Sequence, residues 1–332
     1  MKKTAKVISI AAIGVFIAVS GTVGYVKLAL PDTGPAPDIK IDITPERVER
    51  GRYLANHVTV CIDCHSTRDW TKFSGPINMQ EIGTGGEKFD QSIGFPGEVH
   101  VPNITPFHLK NWTDGEIFRA VTTGVKKDGS AIFPIMPYKH YGQMDKEDIY
   151  SIIAYIRTLP EKESKTPQRK LDFPLNLLVN TMPQKASLNT IPLKSDQLAY
   201  GAYLVNAAAC YDCHTQSEKG EYKEGMDFAG GTAYQLPSGT VYSANITPDI
   251  KTGIGSWTKE QFISRFKMYA DSSYHLATLK QDDFQTIMPW MMYGGMENED
   301  LEAIYVYLKT VKPIKNKVTK FKKAINTTAQ LD

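Results

Sequence analysis

The chain repeats itself once, and that duplication constrains its fold more than any other feature. Gly51-Arg-Tyr53-Leu54-Ala-Asn56 recurs as Gly201-Ala-Tyr203-Leu204-Val-Asn206. Cys-x-Asp-Cys-His stands at 61–65 and again at 210–214, and Asn103-Ile-Thr-Pro106 returns at Asn245 to Pro248. Trp112-Thr113 matches Trp257-Thr258, Ile-Met136-Pro matches Ile-Met288-Pro, and Met144 with Glu147-Asp148 matches Met296 with Glu299-Asp300. The order is the same in both copies, and the period is too long for a solenoid. The chain is therefore read as a duplicated domain.

Helical signals dominate each copy. Thr44 before Pro45, and Ser195 before Asp196, are good helix starts. Thr113 with Glu116 and Thr258 with Gln261 fit capping boxes. Ile149, Ile152, Ile153, Ile156 and Leu159 recur at helical spacing after the N-cap candidate Asp145, and Leu301, Ile304, Tyr305, Leu308 and Val311 do so in the second copy. Pro160 and Pro313 close these helices. Gly51 and Gly201 fall inside first helices, where glycine costs about 1 kcal/mol relative to alanine; close crossing of the last helix, near Tyr155 or Tyr307, would compensate. The expected fold class is all-α, with a domain at 45–160, a linker at 161–194, a domain at 195–313 and a basic tail at 314–332. The apolar patch 173–182 in the linker is expected to pack across the domain seam. It is too short to span a bilayer.

Residues 7–26 form a stretch without a charge, about 30 Å long as a helix and enough for the hydrocarbon core. Lys2, Lys3 and Lys6 precede it, which places that end in the cytoplasm and exports the rest. Residues 1–30 are thus a membrane anchor or, with Ala18-Val19-Ser20 as the cleavage site, a signal peptide. The length of the stretch favours the anchor. Pro31, Pro35 and Pro37 make 31–44 a semi-extended stalk lifting the first domain off the bilayer. With 42% apolar and 22% charged residues the chain as a whole has ordinary globular usage. A net charge of +2 gives no case for nucleic acid. The tail lysines Lys315, Lys317, Lys320, Lys322 and Lys323 fit a solvated tail at least as well as one resting on anionic lipid or an acidic partner.

Four cysteines are too few for a disulfide scaffold in a chain of this length. Their placement carries the chemistry. Cys61 and Cys64, then Cys210 and Cys213, are each followed at once by a histidine, His65 and His214. Covalent haem attachment needs two thiols to meet two vinyl groups on one porphyrin edge, and an imidazole to reach iron from the same side. Cys-x-x-Cys-His supplies all three on about one helical turn. Shared zinc would want the two pairs much closer in sequence. A thioredoxin-like redox pair would want a βαβ pattern, which is missing. Two covalent haem c groups are the expected cofactors.

The sixth ligand separates electron transfer from catalysis. Met136 and Met288 occupy matching Ile-Met-Pro loops, and the proline stiffens each loop, so these two are the expected distal ligands. Met144 and Met296, directly before a helix start, suit a hydrophobic staple. His140 corresponds to Met292, and no other histidine outside the motifs has a matching one. Asn103 and Asn245, with Thr105 and Thr247, could bond haem propionates or hold the loop that shields the haem edge, or equally form a repeated turn and cap. Trp112 and Trp257 suit haem-pocket packing or core.

These residues resemble class I cytochrome c domains. As a pair, 45–313 resemble membrane-anchored di-haem cytochromes c and are similar to the cytochrome subunits of bacterial alcohol and gluconate dehydrogenases. The second copy has the fuller signature, Asn245-Ile-Thr-Pro-Asp-Ile-Lys-Thr-Gly-Ile-Gly-Ser-Trp257-Thr. The resemblance implies two tandem cytochrome c-like domains, with Cys61, Cys64, Cys210 and Cys213 as thioether anchors, His65 and His214 as proximal ligands, and Met136 and Met288 as distal ones. The expected function is electron transfer without catalysis, on the periplasmic side of a bacterial inner membrane. Electrons would pass from a quinone pool, quinol-oxidising complex or dehydrogenase to an oxidase, a peroxidase or a soluble cytochrome. The competing readings are a di-haem peroxidase with one five-coordinate haem, and a haem-bearing scaffold subunit.

Overall fold

Thr44 accepts a hydrogen bond from the Arg47 amide, and Pro45 occupies the first helical position. The first helix of the first half thus starts at the expected cap. The computed structural model describes residues 2–324 apart from Lys219, Ser272 and Gln281. Helix α1 (Lys2–Leu28) is followed by α2 (Pro45–Tyr53), which runs into a π-helical turn at Leu54–Val58 and then α3 (Cys61–Cys64). Strands β1 (Lys88–Asp90) and β2 (Gly97–His100) come next, then α4 (Pro106–Leu109), α5 (Asp114–Thr123), α6 (Tyr138–Tyr141) and α7 (Lys146–Arg157). The connection holds β3 (Lys170–Leu171) and α8 (Leu175–Leu178). The second half contains α9 (Gln197–Ala207), α10 (Cys210–His214), β4 (Ser217–Glu218), β5 (Glu221–Tyr222), β6 (Ala233–Leu236) and β7 (Gly239–Tyr242). It closes with α11 (Lys259–Lys267), α12 (Trp290–Tyr293), α13 (Asn298–Leu308) and β8 (Phe321–Lys323).

The all-α expectation is corrected by three small antiparallel sheets, in the orders β1-β2-β3, β4-β5 and β6-β7-β8. The chain is a mixed α and β protein. The physical reason lies in the stretch after each Cys-x-x-Cys-His, which folds into a hairpin that needs a further strand. In the first half Gly97 pairs with Leu171 of the linker. In the second half Val241 pairs with Phe321 of the basic tail. Strands of two to four residues leave no readable alternation, and their third partners come from segments the sequence marks as connections. The part of the tail after 324 lies outside the described residues.

Most helical signals hold, although Asp196 and not Ser195 caps α9, and Leu159 and Val311 lie beyond the ends of α7 and α13. Thr113 with Glu116 and Thr258 with Gln261 form complete capping boxes, and Asp145 and Asp196 cap α7 and α9 through their carboxylates. The first and last helices of each half cross at the expected glycines. A methyl group on Gly51 would land on the Ser151 carbonyl beside Tyr155, and one on Gly201 on the Ala303 carbonyl beside Tyr307. Gly201→Ala is therefore expected to destabilise by roughly 1–3 kcal/mol through overpacking, although alanine favours an isolated helix by about 1 kcal/mol. Thermal unfolding of the haem-loaded chain checks this, and a raised Tm would contradict it.

One continuous core serves both halves, with Leu54, Ile149, Ile152 and Ile153 of the first and Leu204, Met296, Leu301 and Leu308 of the second fully buried. Met144 and Met296 belong to this core, in keeping with packing roles. The halves meet through exchanged hydrogen bonds related by the repeat. Tyr53 Oη donates to Asp300 (2.6 Å) and Tyr203 Oη to Asp148 (2.7 Å). Each hydroxyl also accepts a backbone N–H at the start of the partner half's last helix, from Glu297 and Asp145. Within the first half, Arg50 forks onto the same Asp148 with two bonds of 2.9 Å. His140 bridges the seam too, with Asn206 at 2.8 Å and Asp212 at 2.7 Å.

Two connections depart from expectation. Residues 31–43 lie along the first half instead of standing free as a stalk: Ile41 is buried and its N–H donates to Asp114, and the Pro37 carbonyl packs on Gly115. The apolar patch 173–182, expected at the seam, packs chiefly beside the N-terminal helix. Helix α8 and the turn Val179–Thr181 pack against α1. Helix α1 itself is long and apolar enough to cross a membrane.

Candidate functional site

Each cysteine motif is set off from the helix before it by one left-handed residue, Val60 (φ 45°) and Ala209 (φ 49°). A β-branched residue there is unusual and strained. The turn stops the long helix and starts a new one, so that both cysteines and the histidine lie on a single turn, Cys61–His65 and Cys210–His214.

The histidines are oriented alike. Nδ1 of His65 lies 2.8 Å from the Pro102 carbonyl and Nδ1 of His214 lies 2.7 Å from the Ala244 carbonyl. A carbonyl only accepts, which assigns the ring proton to Nδ1 and leaves Nε2 with a free lone pair. Burial lowers the pKa of both rings, against a smaller opposing effect of those carbonyls. A neutral imidazole fixed through its second nitrogen is the state in which histidine binds a metal. Burial also pushes the thiols of Cys64 and Cys210 up to about 12 and raises those of Cys61 and Cys213. They are protonated at neutral pH, unlike reactive or metal-bound thiolates. Among the described residues no cluster of three or more His, Cys, Asp or Glu is placed to hold a metal ion unaided.

What holds the two carbonyls is the repeated Asn-x-Thr. Asn103 Oδ1 accepts from the Thr105 N–H and hydroxyl, both at 2.7 Å, and its Nδ2 donates to the Lys162 carbonyl at 2.8 Å. Asn245 does the same with Thr247 and the Ile314 carbonyl. The side chains form the repeated turn and hold their loop: the buried amides pin the segment after the last helix, and with it the residue before each asparagine that orients the histidine.

In the second half Cys210, Cys213, His214 and Met288 line one cavity of about 490 Å³, with Trp257 and Ile246 among its apolar walls. That volume lies within the roughly 300–1,000 Å³ range of cofactor pockets. Met288 is fixed by a clamp that the sequence does not show. Its carbonyl accepts from Ser74 Oγ at 2.6 Å, and its N–H donates to Thr286 Oγ1 at 3.0 Å. Gln285 accepts from the Ser74 N–H at 2.8 Å and donates to the carbonyls of Trp70 and Lys72. A loop of the first half thus sets the methionine loop of the second. Met136 is half-buried against the core, before α6. In both halves the helix after the methionine loop is tied back to the turn before the cysteines, by Tyr141 Oη to the Thr59 carbonyl and Tyr293 Oη to the Ala208 carbonyl, each 2.8 Å. These tyrosines occupy matching places before Gly142 and Gly294, so the repeat could have revealed them.

Residues 198–312 match the sequence model of the cytochrome c family. This half is similar to cytochrome c domains. The family model matches the second half alone, where two tandem cytochrome c-like domains were expected. Across both halves the chain is similar to the cytochrome c subunit of the quinone-dependent alcohol dehydrogenase of Komagataeibacter europaeus, 25% identical over 80% of this chain and 56% of that one. It is also similar to the fructose dehydrogenase cytochrome subunit of Gluconobacter japonicus (26%, 80% of this chain and 52% of that one). A diheme cytochrome c-type protein of Cereibacter sphaeroides is 26% identical over 76% of this chain and 82% of its own length. The chain spans about half the length of the dehydrogenase subunits it matches. A cytochrome c domain carries covalently bound haem c, and the donor set described above fits it: paired neutral thiols, an imidazole with Nε2 free, and a sulfur in the same apolar cavity.

Proposed function

We propose that the chain is a di-haem electron carrier anchored in a bacterial inner membrane, with both haem-bearing halves in the periplasm. Cys61 and Cys64, and Cys210 and Cys213, would be the thioether anchors, and His65 with Met136 and His214 with Met288 would hold the two irons. Bound haem supplies one reversible electron per site. The chain's own residues hold each imidazole by the Pro102 or Ala244 carbonyl, exclude water with an apolar wall, and close the distal side with sulfur. With an imidazole and a methionine sulfur both committed to its iron, each haem would offer substrate no place, which fits transfer rather than turnover. The donor is a quinone pool or a dehydrogenase and the acceptor an oxidase or another cytochrome. Support for the dehydrogenase side comes from the names of the relatives.

The observation that carries this reading is the histidine geometry, the same in both halves. Potentiometric titration of the purified holo chain is expected to show two one-electron steps per chain, with no peroxide turnover. One electron per chain, or rapid peroxide reduction, would contradict the reading.

The clamp on Met288 yields a further expectation. Ser74→Ala removes a donor to the Met288 carbonyl without touching any ligand, and should lower the potential of the second haem while leaving the first in place. Ser74→Thr, which keeps the hydroxyl, should restore much of it. Equal potentials in all three proteins would show that the clamp does not set the sulfur.

A further inference from the structure

We propose that the linker segment Phe173–Leu178 is a second membrane contact, seated at the headgroup level beside the end of α1. The inference rests on the reading of α1 as an uncleaved anchor. The apolar run 7–26 covers about 30 Å as a helix, so its far end lies at the outer edge of the hydrocarbon core. Tyr25 and Lys27 at that end are the residue types that settle at a membrane–water interface. Against this same end packs the linker: Asn180 Nδ2 donates to the Val26 carbonyl at 3.3 Å, and α8 and the turn after it lie against α1. The segment is thereby placed at a known depth.

Its apolar side chains at that depth are uncovered. Phe173 is 79% exposed, Leu178 47% and Leu28 90%. They are not on a loose loop. Just before them β3 pairs with β2, and just after them Val179 is buried in the protein. Within the segment the amides of Asn176 and Leu177 bond to the carbonyls of Asp172 and Pro174. A fixed apolar surface beside the exit of a spanning helix, too short to span by itself, has the form of an interfacial contact. Residues 31–43 strengthen the case, because they lie on the first half and do not hold it away from the bilayer. Helix and linker together would fix the tilt of the first half over the membrane, as one point of attachment cannot.

The test uses the full holo chain, whose native cysteines are committed to thioethers by the reading above. Single reporters are placed at Phe173→Cys, Leu178→Cys, Phe16→Cys and exposed Ile250→Cys, each labelled with a small fluorophore. The chain is reconstituted in phosphatidylethanolamine–phosphatidylglycerol vesicles carrying spin-labelled lipid, with the quencher either shallow or deep. Labels at 173 and 178 are expected to lose fluorescence to the shallow quencher, the label at 16 to the deep one, and the label at 250 to neither. Bright labels at 173 and 178 with a quenched label at 16 would overturn the second contact, leave the anchor standing, and assign the patch to a protein partner. A bright label at 16 would overturn the anchor and this inference with it.

Discussion

Met288→Ala is expected to remove half of the methionine-to-iron charge-transfer absorbance of the oxidised protein, and Met136→Ala the other half. The double variant should show none. The expectation follows from the two matching loops, in which a half-buried sulfur precedes a proline and a short helix. Loss of the sulfur opens a coordination position, so each single variant should also turn one haem partly high-spin and lower its potential, since methionine ligation raises the potential of a haem c. The two variants differ in one respect. Met288 is held by Ser74 and Thr286, so neighbouring Met291 or Met292 is poorly placed to substitute without breaking the clamp. An unchanged band in either variant would contradict the ligand assignment for that half.

Asp148→Ala is expected to destabilise the protein by about 3 kcal/mol, the lower end of the cost of breaking a buried ion pair. Asp148 is buried and takes three hydrogen bonds, two from Arg50 and one from Tyr203 of the other half. Its removal leaves Arg50 unpaired and the tyrosine hydroxyl without an acceptor. Arg50 keeps some contact with water, which holds the cost below the top of that range. Glu49, in an exposed pair with Arg52, is the control: Glu49→Ala should change stability by no more than about 0.5 kcal/mol. Chemical unfolding of the holo chain distinguishes them, and equal effects would show that the seam contributes little.

How far the sequence led depends on whether a feature is local or repeated. Caps are local chemistry, and Thr44, Thr113, Asp145 and Thr258 act where their side chains predict. Gly51 and Gly201 were legible because a glycine inside a helix needs a reason, and the close crossing gives it. The two Cys-x-x-Cys-His motifs pointed to covalent haem from the sequence, and the cytochrome c family match spans the second of them. The sheets were hidden because the third strand of each larger one comes from a distant segment that reads as linker or tail. The asparagines stayed ambiguous because a side chain that pins a loop and one that faces a ligand look identical in sequence; only the partners Lys162 and Ile314 decide it. The Ser74 clamp was invisible for a third reason. It joins the two halves at a point the repeat does not share, so no internal comparison could expose it.

The central claim is that both cysteine pairs of this chain carry haem. Intact-mass measurement of the matured protein tests it most directly, run beside a variant with Cys61→Ser and Cys64→Ser. The expected masses are those of the polypeptide plus two haems and plus one. A mature chain bearing a single haem, or one whose haem content is unchanged by the double substitution, would contradict the account.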